Sequence, residues 1–346
     1  MNPYTLTFMS SMVITGTVLV LSASHWLLAW VALELNTMAI LPLLTQTHTP
    51  RTTEAATKYF LIQTAASTVL LFTSTTNAWL TNQWAINQLT THPTNTMMAL
   101  ALLTKLGIAP MHAWLPEVMQ GATTTMAMIM ATWQKIAPFI LLYTISNNTY
   151  TTVLMPLALL STILGGWGGL NQTQVRKMMA FSSIAHLGWA IATLTFNQTL
   201  PLLALAMYII MTLSLFSIMR TTHTKSIKDT ATAWSTTPHA TMMLLMTLLS
   251  LGGLPPLSGF MPKVLIMKDL VDTSFAFTAT AMALASLLSL AFYVRLAYST
   301  SLTIAPMTTT MKMNWRLPPS HRTLHTATTT TLTTMLLPLT PLITAY

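Results

Sequence analysis

The sequence has 346 residues, of which 53% are hydrophobic and only 6% charged, with a formal net charge of +9 and no cysteine. Soluble domains carry about 25% charged residues, so this composition excludes a soluble globular protein and indicates a polytopic membrane protein. The missing cysteine excludes an iron–sulfur centre, a disulfide frame and a thiol nucleophile on this chain, and the 15 basic residues, scattered over loops, mark topology rather than a nucleic-acid surface.

In chain order, the N-terminal stretch MNPYTLTFMSSMVITG enters an apolar segment without a basic leader or a small-residue cleavage site, so the first helix is expected to stay in the mature protein. Apolar windows then fall at 3–21, 26–44, 57–80, 97–117 (broken), 121–145, 150–169, 174–195, 198–219, 239–270 (broken), 274–298 and 324–345. At about 20 residues per helix these make roughly eleven spans and leave no room for a soluble domain. The expected fold is all-α, a single integral membrane domain over 1–346. Basic residues sort by loop: Arg51 and Lys58 after span 2, Arg176 and Lys177 after span 6, Arg220, Lys225 and Lys228 after span 8, and Lys312, Arg316 and Arg322 after span 10. Loops after spans 1, 3, 5 and 7 carry no Lys or Arg, which places the N-terminus on the basic side and the C-terminus opposite.

Two spans are interrupted in mid-course. Leu102–Val118 reads LLTKLGIAPMHAWLPEV, with Gly107, Pro110 and Pro116 breaking the helix that carries Lys105, and Leu248–Lys268 reads LLSLGGLPPLSGFMPKVLIMK, with Lys263 just past the break. A broken helix frees backbone groups, which hydrocarbon does not tolerate, so each break is expected to be buried in protein or to line a wet cavity. The breaks occupy spans 4 and 9. Residues 1–145 and 150–298 therefore read as two five-helix units, followed by a final helix at 324–345. A unit with an odd number of spans inserts upside down the second time, the pattern of an inverted-repeat transporter.

Ionisable residues inside apolar spans are costly and mark function by default. Glu34 is the charge in span 2, and Lys105 is its expected partner. At 4 to 7 Å such a pair attracts by roughly 2 to 4 kcal/mol at an effective dielectric near 20, similar in size to the cost of burying an ammonium. A site of that kind is poised to take up or release a proton. Lys135 lies too deep in its span to snorkel, with Gln134 beside it and Pro138 one turn on. His112, in the first break, and His186, in span 7 opposite Glu34 in the repeat, are titratable near neutrality and suit a relay. For each residue there is a plain structural alternative: an ion pair locking two helices for Glu34, a bond to loosened carbonyls for Lys135, a helix-end cation for Lys263, and a carbonyl-bonded neutral ring for the histidines. Glu117 is expected at a membrane surface and Lys268, Asp269 and Asp272 in an exposed helix-end cluster. GGWGGL at Gly165–Leu170 follows no strand, so it suits close helix packing rather than a nucleotide. The histidines show no metal-ligand spacing with carboxylates, and the 27 methionines are apolar filler.

Taken together, LLTKLGIAPMHAWLPEV, ATWQKIAPF, FSSIAHLGW and LLSLGGLPPLSGFMPK resemble the antiporter-like membrane subunits of respiratory complex I over nearly the whole chain. The MNP start and eleven-span length resemble the mitochondrial members. The resemblance implies proton translocation in the mitochondrial inner membrane with the basic loops in the matrix, coupled to NADH oxidation and ubiquinone reduction. It implies that NADH, FMN, iron–sulfur clusters and ubiquinone are bound by other subunits and that this chain holds no cofactor or metal. Its partners would be other complex I subunits, especially chains 4L and 4, with membrane lipid such as cardiolipin and no nucleic acid. By motif, Glu34 resembles the family's charged-pair carboxylate, Lys105 its partner, Lys135 the central lysine and Lys263 the exit-side lysine, with His112 and His186 on the polar axis between them. The resemblance implies fourteen helices in bacterial relatives, the first three of which are expected to be missing here, with their contacts absent or replaced by other subunits. Two rival readings remain: a stand-alone cation/proton antiporter, for which one carboxylate and three lysines are a poor cation site, and an assembly scaffold whose lysines are idle.

Overall fold

The computed structural model describes residues 2–86, 92–146, 149, 151–301 and 324–339. The chain forms two compact units, Met1–Ser161 and Thr162–Tyr346. The first holds α1 (Pro3–Ser22), α2 (Trp26–Leu44), α3 (Pro50–Thr81), α4 (His92–Leu106), α5 (Trp114–Gly121), α6 (Thr124–Ala131), α7 (Trp133–Ile145) and the start of α8 (Thr151–Leu170). The second holds the rest of α8, then α9 (Val175–Ala192), α10 (Thr199–Thr222), α11 (Ile227–Thr236), α12 (Pro238–Gly252), α13 (Phe260–Asp272), α14 (Ala276–Ser301), α15 (Leu324–Met335) and a short 3-10 turn, Leu337–Leu339. The all-α membrane architecture expected from composition is what the chain adopts.

Among the described residues, six helical segments are long and apolar enough to cross a membrane: α1, α2, the α6–α7 pair, α8, α10 and α14. Outward-facing residues such as Phe72, Leu61, Leu284 and Phe277 are exposed apolar groups, as a lipid-facing surface requires. The GGWGGL stretch serves close packing, as expected. A methyl on Gly165 would lie 2.7 Å from the Ala185 nitrogen of α9, and one on Gly169 would lie 2.7 Å from the Phe292 ring of α14.

The structure corrects several element boundaries. Span 3 starts at Pro50, where a Thr49/Thr52 capping box opens α3, so Arg51 and Lys58 ride on a helix rather than in a loop. The stretch after span 8 folds into the amphipathic helix α11. Its start is fixed by Ser226 and Asp229, whose carboxylate accepts the Ser226 N–H at 2.8 Å and the Lys225 N–H at 3.0 Å. Burial pushes that carboxyl up, but the two N–H bonds outweigh it and hold Asp229 below the usual carboxylate range. Span 5 is not continuous but is interrupted at Thr132. Lys312, Arg316, Arg322 and the last residues of span 11 lie outside the described residues.

The two breaks have one backbone design. Gly107 follows α4 at φ +76° and Gly253 follows α12 at φ +80°, in the left-handed region where a Cβ is penalised. The N–H of Gly107 bonds Thr104 O at 3.1 Å and that of Ile108 bonds Leu103 O at 3.1 Å; Gly253 N–H bonds Ser250 O at 3.0 Å and Leu254 N–H bonds Leu249 O at 3.4 Å. Each pair of bonds closes a Schellman cap and satisfies carbonyls that the break would orphan. The helices beyond, α5 and α13, each place a proline third, Pro116 and Pro262, where no helical N–H is needed. Gly107 to Pro116 and Gly253 to Pro262 thus run in register without a gap.

A second correspondence lies at the start of α2 and α9. Trp26 N–H bonds Trp84 O at 3.1 Å and Ile86 N–H bonds Ser24 O at 3.1 Å, bridging His25 to Ala85. Val175 N–H bonds Lys225 O at 3.2 Å and Ile227 N–H bonds Thr173 O at 3.1 Å, bridging Gln174 to Ser226 in the same manner.

Candidate functional site

In the first unit Lys105, next to last in α4, is 7% exposed, and Lys135, third in α7, is 2% exposed. Both line one cavity with Asn36, Thr37, Gln63 and Gln134. The volume open to a water centre is about 20 Å³, room for on the order of one water. Gln134 Nε2 donates to Asn36 Oδ1 at 3.0 Å, tying α7 to α2, and Gln63 Nε2 donates to the Lys105 carbonyl at 3.5 Å. The backbone near Lys135 is loosened. Thr132 sits at φ −116° and ψ −73°, and Lys135 N–H reaches back only three residues to Thr132 O at 3.3 Å. Pro138 adds to this, because it offers no N–H to the Gln134 carbonyl and its ring crowds that group.

Glu34 is half-buried on α2. Its Oε2 and the Lys105 Nζ are both fully buried without a hydrogen-bond partner among the described residues. The two groups lie within electrostatic range of each other but not in ion-pair contact, unlike Lys58, which pairs with both Glu54 and Glu117. Burying an ion without such a partner costs several kcal/mol, which makes these two atoms unusual among the described residues. Opposite them, Trp114 Nε1 donates to Thr104 O at 3.2 Å, and its ring lies 5.8 Å from that of Tyr59. A neutral indole therefore caps the C-terminus of α4.

His112 lies in the turn between α4 and α5, with Nδ1 3.1 Å from the Pro110 carbonyl, and is not among the residues lining the cavity. Glu117 stands at the surface, as expected, bonded at 2.7 Å to Lys58, which also holds Glu54 at 2.5 Å. The hydrogen bond and charge of Lys58 hold the Glu54 carboxyl below its ordinary range.

In the second unit Lys263 is 8% exposed and its Nζ donates to the Gly252 carbonyl at 2.9 Å, the last residue of α12. Here a cation caps the helix C-terminus, where the macrodipole is negative. His186, half-buried on α9, has Nε2 3.4 Å from the Tyr293 hydroxyl of α14 and its ring 5.5 Å from that of Tyr208 on α10. Sequence reading singled out neither tyrosine, nor Asn36, nor Gln63. The signal for the amides was available, since Asn and Gln inside apolar spans need partners. Nothing in the sequence marks Tyr208, set among Met207 and Ile209, or Tyr293, beside Phe292, because a tyrosine in an apolar span reads as an ordinary core ring.

With this geometry in hand, the chain can be compared with known proteins. Residues 23–289 match the NADH:quinone oxidoreductase/Mrp antiporter transmembrane family, and residues 290–344 match the NADH dehydrogenase subunit 2 C-terminus. The NADH-ubiquinone oxidoreductase chain 2 of Oncorhynchus mykiss is 50% identical over 345 residues, covering 100% of this chain and 99% of that protein. The chain belongs to the NADH-ubiquinone oxidoreductase chain 2 family. The chain 2 protein of Xenopus laevis is 49% identical over 342 residues, covering 99% of each. Among solved structures, a chain of respiratory complex I from Thermus thermophilus with bound aureothin shares the fold at TM-score 0.87 and 24% identity, covering 99% of this chain and 80% of that one. A chain of the Mrp complex from Dietzia sp. does so at TM-score 0.81 and 15% identity, covering 96% of this chain and 74% of that one. The chain thus shares its overall fold with a complex I chain and an Mrp complex chain.

Proposed function

We propose that the chain is a core membrane subunit of respiratory complex I that moves protons across the mitochondrial inner membrane through Lys105, Lys135 and Lys263. NADH oxidation and ubiquinone reduction occur on other subunits, which hold NADH, FMN, the iron–sulfur clusters and the quinone; a chain without cysteine has no thiolate set for a cluster. The observation that carries the reading is the cavity shared by two buried lysines, with the orphaned Glu34 carboxylate in electrostatic range.

Glu34 acts as the gate. Closing on Lys105 holds a proton on the ammonium, and withdrawing releases it toward Lys135, past neutral amides that do not compete for the proton. Redox chemistry elsewhere biases this equilibrium by coupling through the assembly. His186 and Lys263 continue the path in the second unit, and His112 flanks it. Residues 1–145 and 150–298 are read as inverted five-helix repeats, supported by the in-register breaks and the matching backbone bridges at His25 and Gln174. The N-terminus faces the matrix and the C-terminus the intermembrane space, following the basic loops. The neighbouring subunits are chains 4L and 4, with cardiolipin as a lipid partner.

The test is proton pumping per electron in sealed vesicles containing the complex with Lys105→Met, with assembly and NADH oxidation followed in parallel. Normal assembly with reduced pumping is expected. Unchanged pumping would sink the reading and leave the scaffold role. The fold shared with an Mrp complex chain favours one second reading, a cation/proton antiporter, which a purified lone chain exchanging Na⁺ for protons in vesicles would establish.

A further inference from the structure

A surface ion pair in the first unit stands next in sequence to a wall of the lysine cavity, and the proposed proton path does not use it. α5 lies along the start of α3, with one face of each helix in contact. Gly121, at the end of α5, meets Arg51 and Ala55: a methyl there would lie 2.7 Å from the Arg51 carbonyl oxygen and 2.7 Å from the Ala55 Cβ. One turn back, Glu117 bonds Lys58 at 2.7 Å. A further turn back, the Trp114 ring lies 5.8 Å from that of Tyr59. Residues 114, 117 and 121 share a face of α5, and 51, 55, 58 and 59 share a face of α3. The seam therefore runs from tight packing through an ion pair to two buried rings. Those two rings, with Leu115, wall the cavity that Lys105 and Lys135 line.

We infer that the ion pair between Lys58 and Glu117 is a latch that holds α5 against α3 and so controls the entry of water to the lysine cavity. That the latch serves proton transfer rests on the reading of Lys105 and Lys135 as proton sites. α5 has only eight residues and is free of helix on both sides: the break precedes it, and Ala122 leaves it extended at φ −69° and ψ 154°. So short a helix is unstable by itself and takes its position from its neighbours. The Lys58 and Glu117 side chains are 40% and 47% exposed. A pair in contact with water is weak and screened by salt, so it opens readily, where a buried pair would lock. The closed cavity has room for on the order of one water. Movement of α5 away from α3 carries Trp114 and Leu115 with it and widens that space. Glu54 supplies the contrast, because it bonds the same ammonium at 2.5 Å from one turn earlier on α3 and ties that helix only to itself.

The experiment follows oxidation of Met130 by hydrogen peroxide in the assembled complex, read by peptide mass spectrometry. Met130 lines the cavity and is 2% exposed, and Met111, 60% exposed, is the internal reference. Glu117→Gln is expected to speed Met130 oxidation relative to Met111 by roughly three- to fivefold, the range that a weak exposed pair supports. Glu54→Gln leaves the bond between the helices in place and is expected to match the parent. Added salt should speed Met130 oxidation in the parent and in Glu54→Gln, with no further gain in Glu117→Gln. An unchanged rate in Glu117→Gln, or an equal gain in Glu54→Gln, overturns the latch. If Glu117→Gln does not assemble, the salt response of the parent decides: a faster Met130 supports the latch and an unchanged one overturns it. Pumping by Lys105→Met is measured separately. Normal pumping there overturns the proton reading and leaves the latch as a gate for water alone.

Discussion

The break after α4 and the break after α12 share a backbone and differ in charge. From Gly107 to Pro116 and from Gly253 to Pro262 the register, the left-handed glycine, the cap and the proline correspond. In that register Lys105 stands where the second unit has Leu251, and Glu117 stands where it has Lys263. The first break keeps its cation on the helix before the glycine, with Nζ unbonded among the described residues, and lets a neutral indole cap the helix end. The second places its cation on the helix after the break and uses it as the cap. One scaffold thus separates structural capping from the proposed proton site in the first unit and, on the proposed path, joins the two in Lys263 in the second.

The largest expected effect tests that merger. Lys263→Met should lower both pumping and the thermal stability of the complex, because it removes the charge and uncaps α12. Loss of pumping at unchanged melting temperature would show that the Gly252 contact carries no stability. In the first unit the two roles should come apart. Trp114→Phe is expected to cost about 1 kcal/mol of stability, the net worth of one hydrogen bond, while pumping per electron is retained. A collapse of pumping in that variant would break the comparison. Of similar size, Gly107→Ala should destabilise by about 1 to 2 kcal/mol, the cost of a left-handed residue with a Cβ, and Gly253→Ala by more, because its methyl would also lie 2.8 Å from Lys263 Nζ. A drop in melting temperature no larger for Gly253→Ala than for Gly107→Ala would show that the Lys263 cap yields freely.

The smallest effects lie outside the spans. Asp229 is held below its ordinary value, so its contribution to the α11 cap is present above the unfolded carboxylate range, near 3.8, and fades as the pH falls through the lower folded value. The protection of α11 amides relative to their intrinsic exchange rates should fall in that acid window, and should not change there in Asp229→Asn. Lys58→Met, which removes two exposed ion pairs, should leave the melting temperature nearly unchanged.

Much of the site could be read before any coordinates because a charge in an apolar span has no cheap structural explanation. Glu34, Lys105, Lys135 and Lys263 stood out for that reason. The Thr132 interruption did not, because a threonine in a membrane helix is ordinary and only the combined effect with Pro138 opens the backbone. Asn36 and Gln63 were hidden among many polar threonines, and α11 among loop residues, where ten residues are too few for periodicity to speak clearly.

What the sequence determined by itself was the membrane class, the two breaks and the ionisable residues inside apolar spans, because the cost of polar groups in hydrocarbon acts residue by residue. What tertiary structure decided was partnership. That Lys105 and Lys135 open on one cavity, that Glu34 stands near Lys105 without closing on it, that Trp114 rather than a cation caps α4, and that Tyr293 joins His186 all depend on angstrom-scale approaches between distant segments. Hydrogen bonds and ion pairs fall off within such distances, whereas burial in lipid is set by the span as a whole.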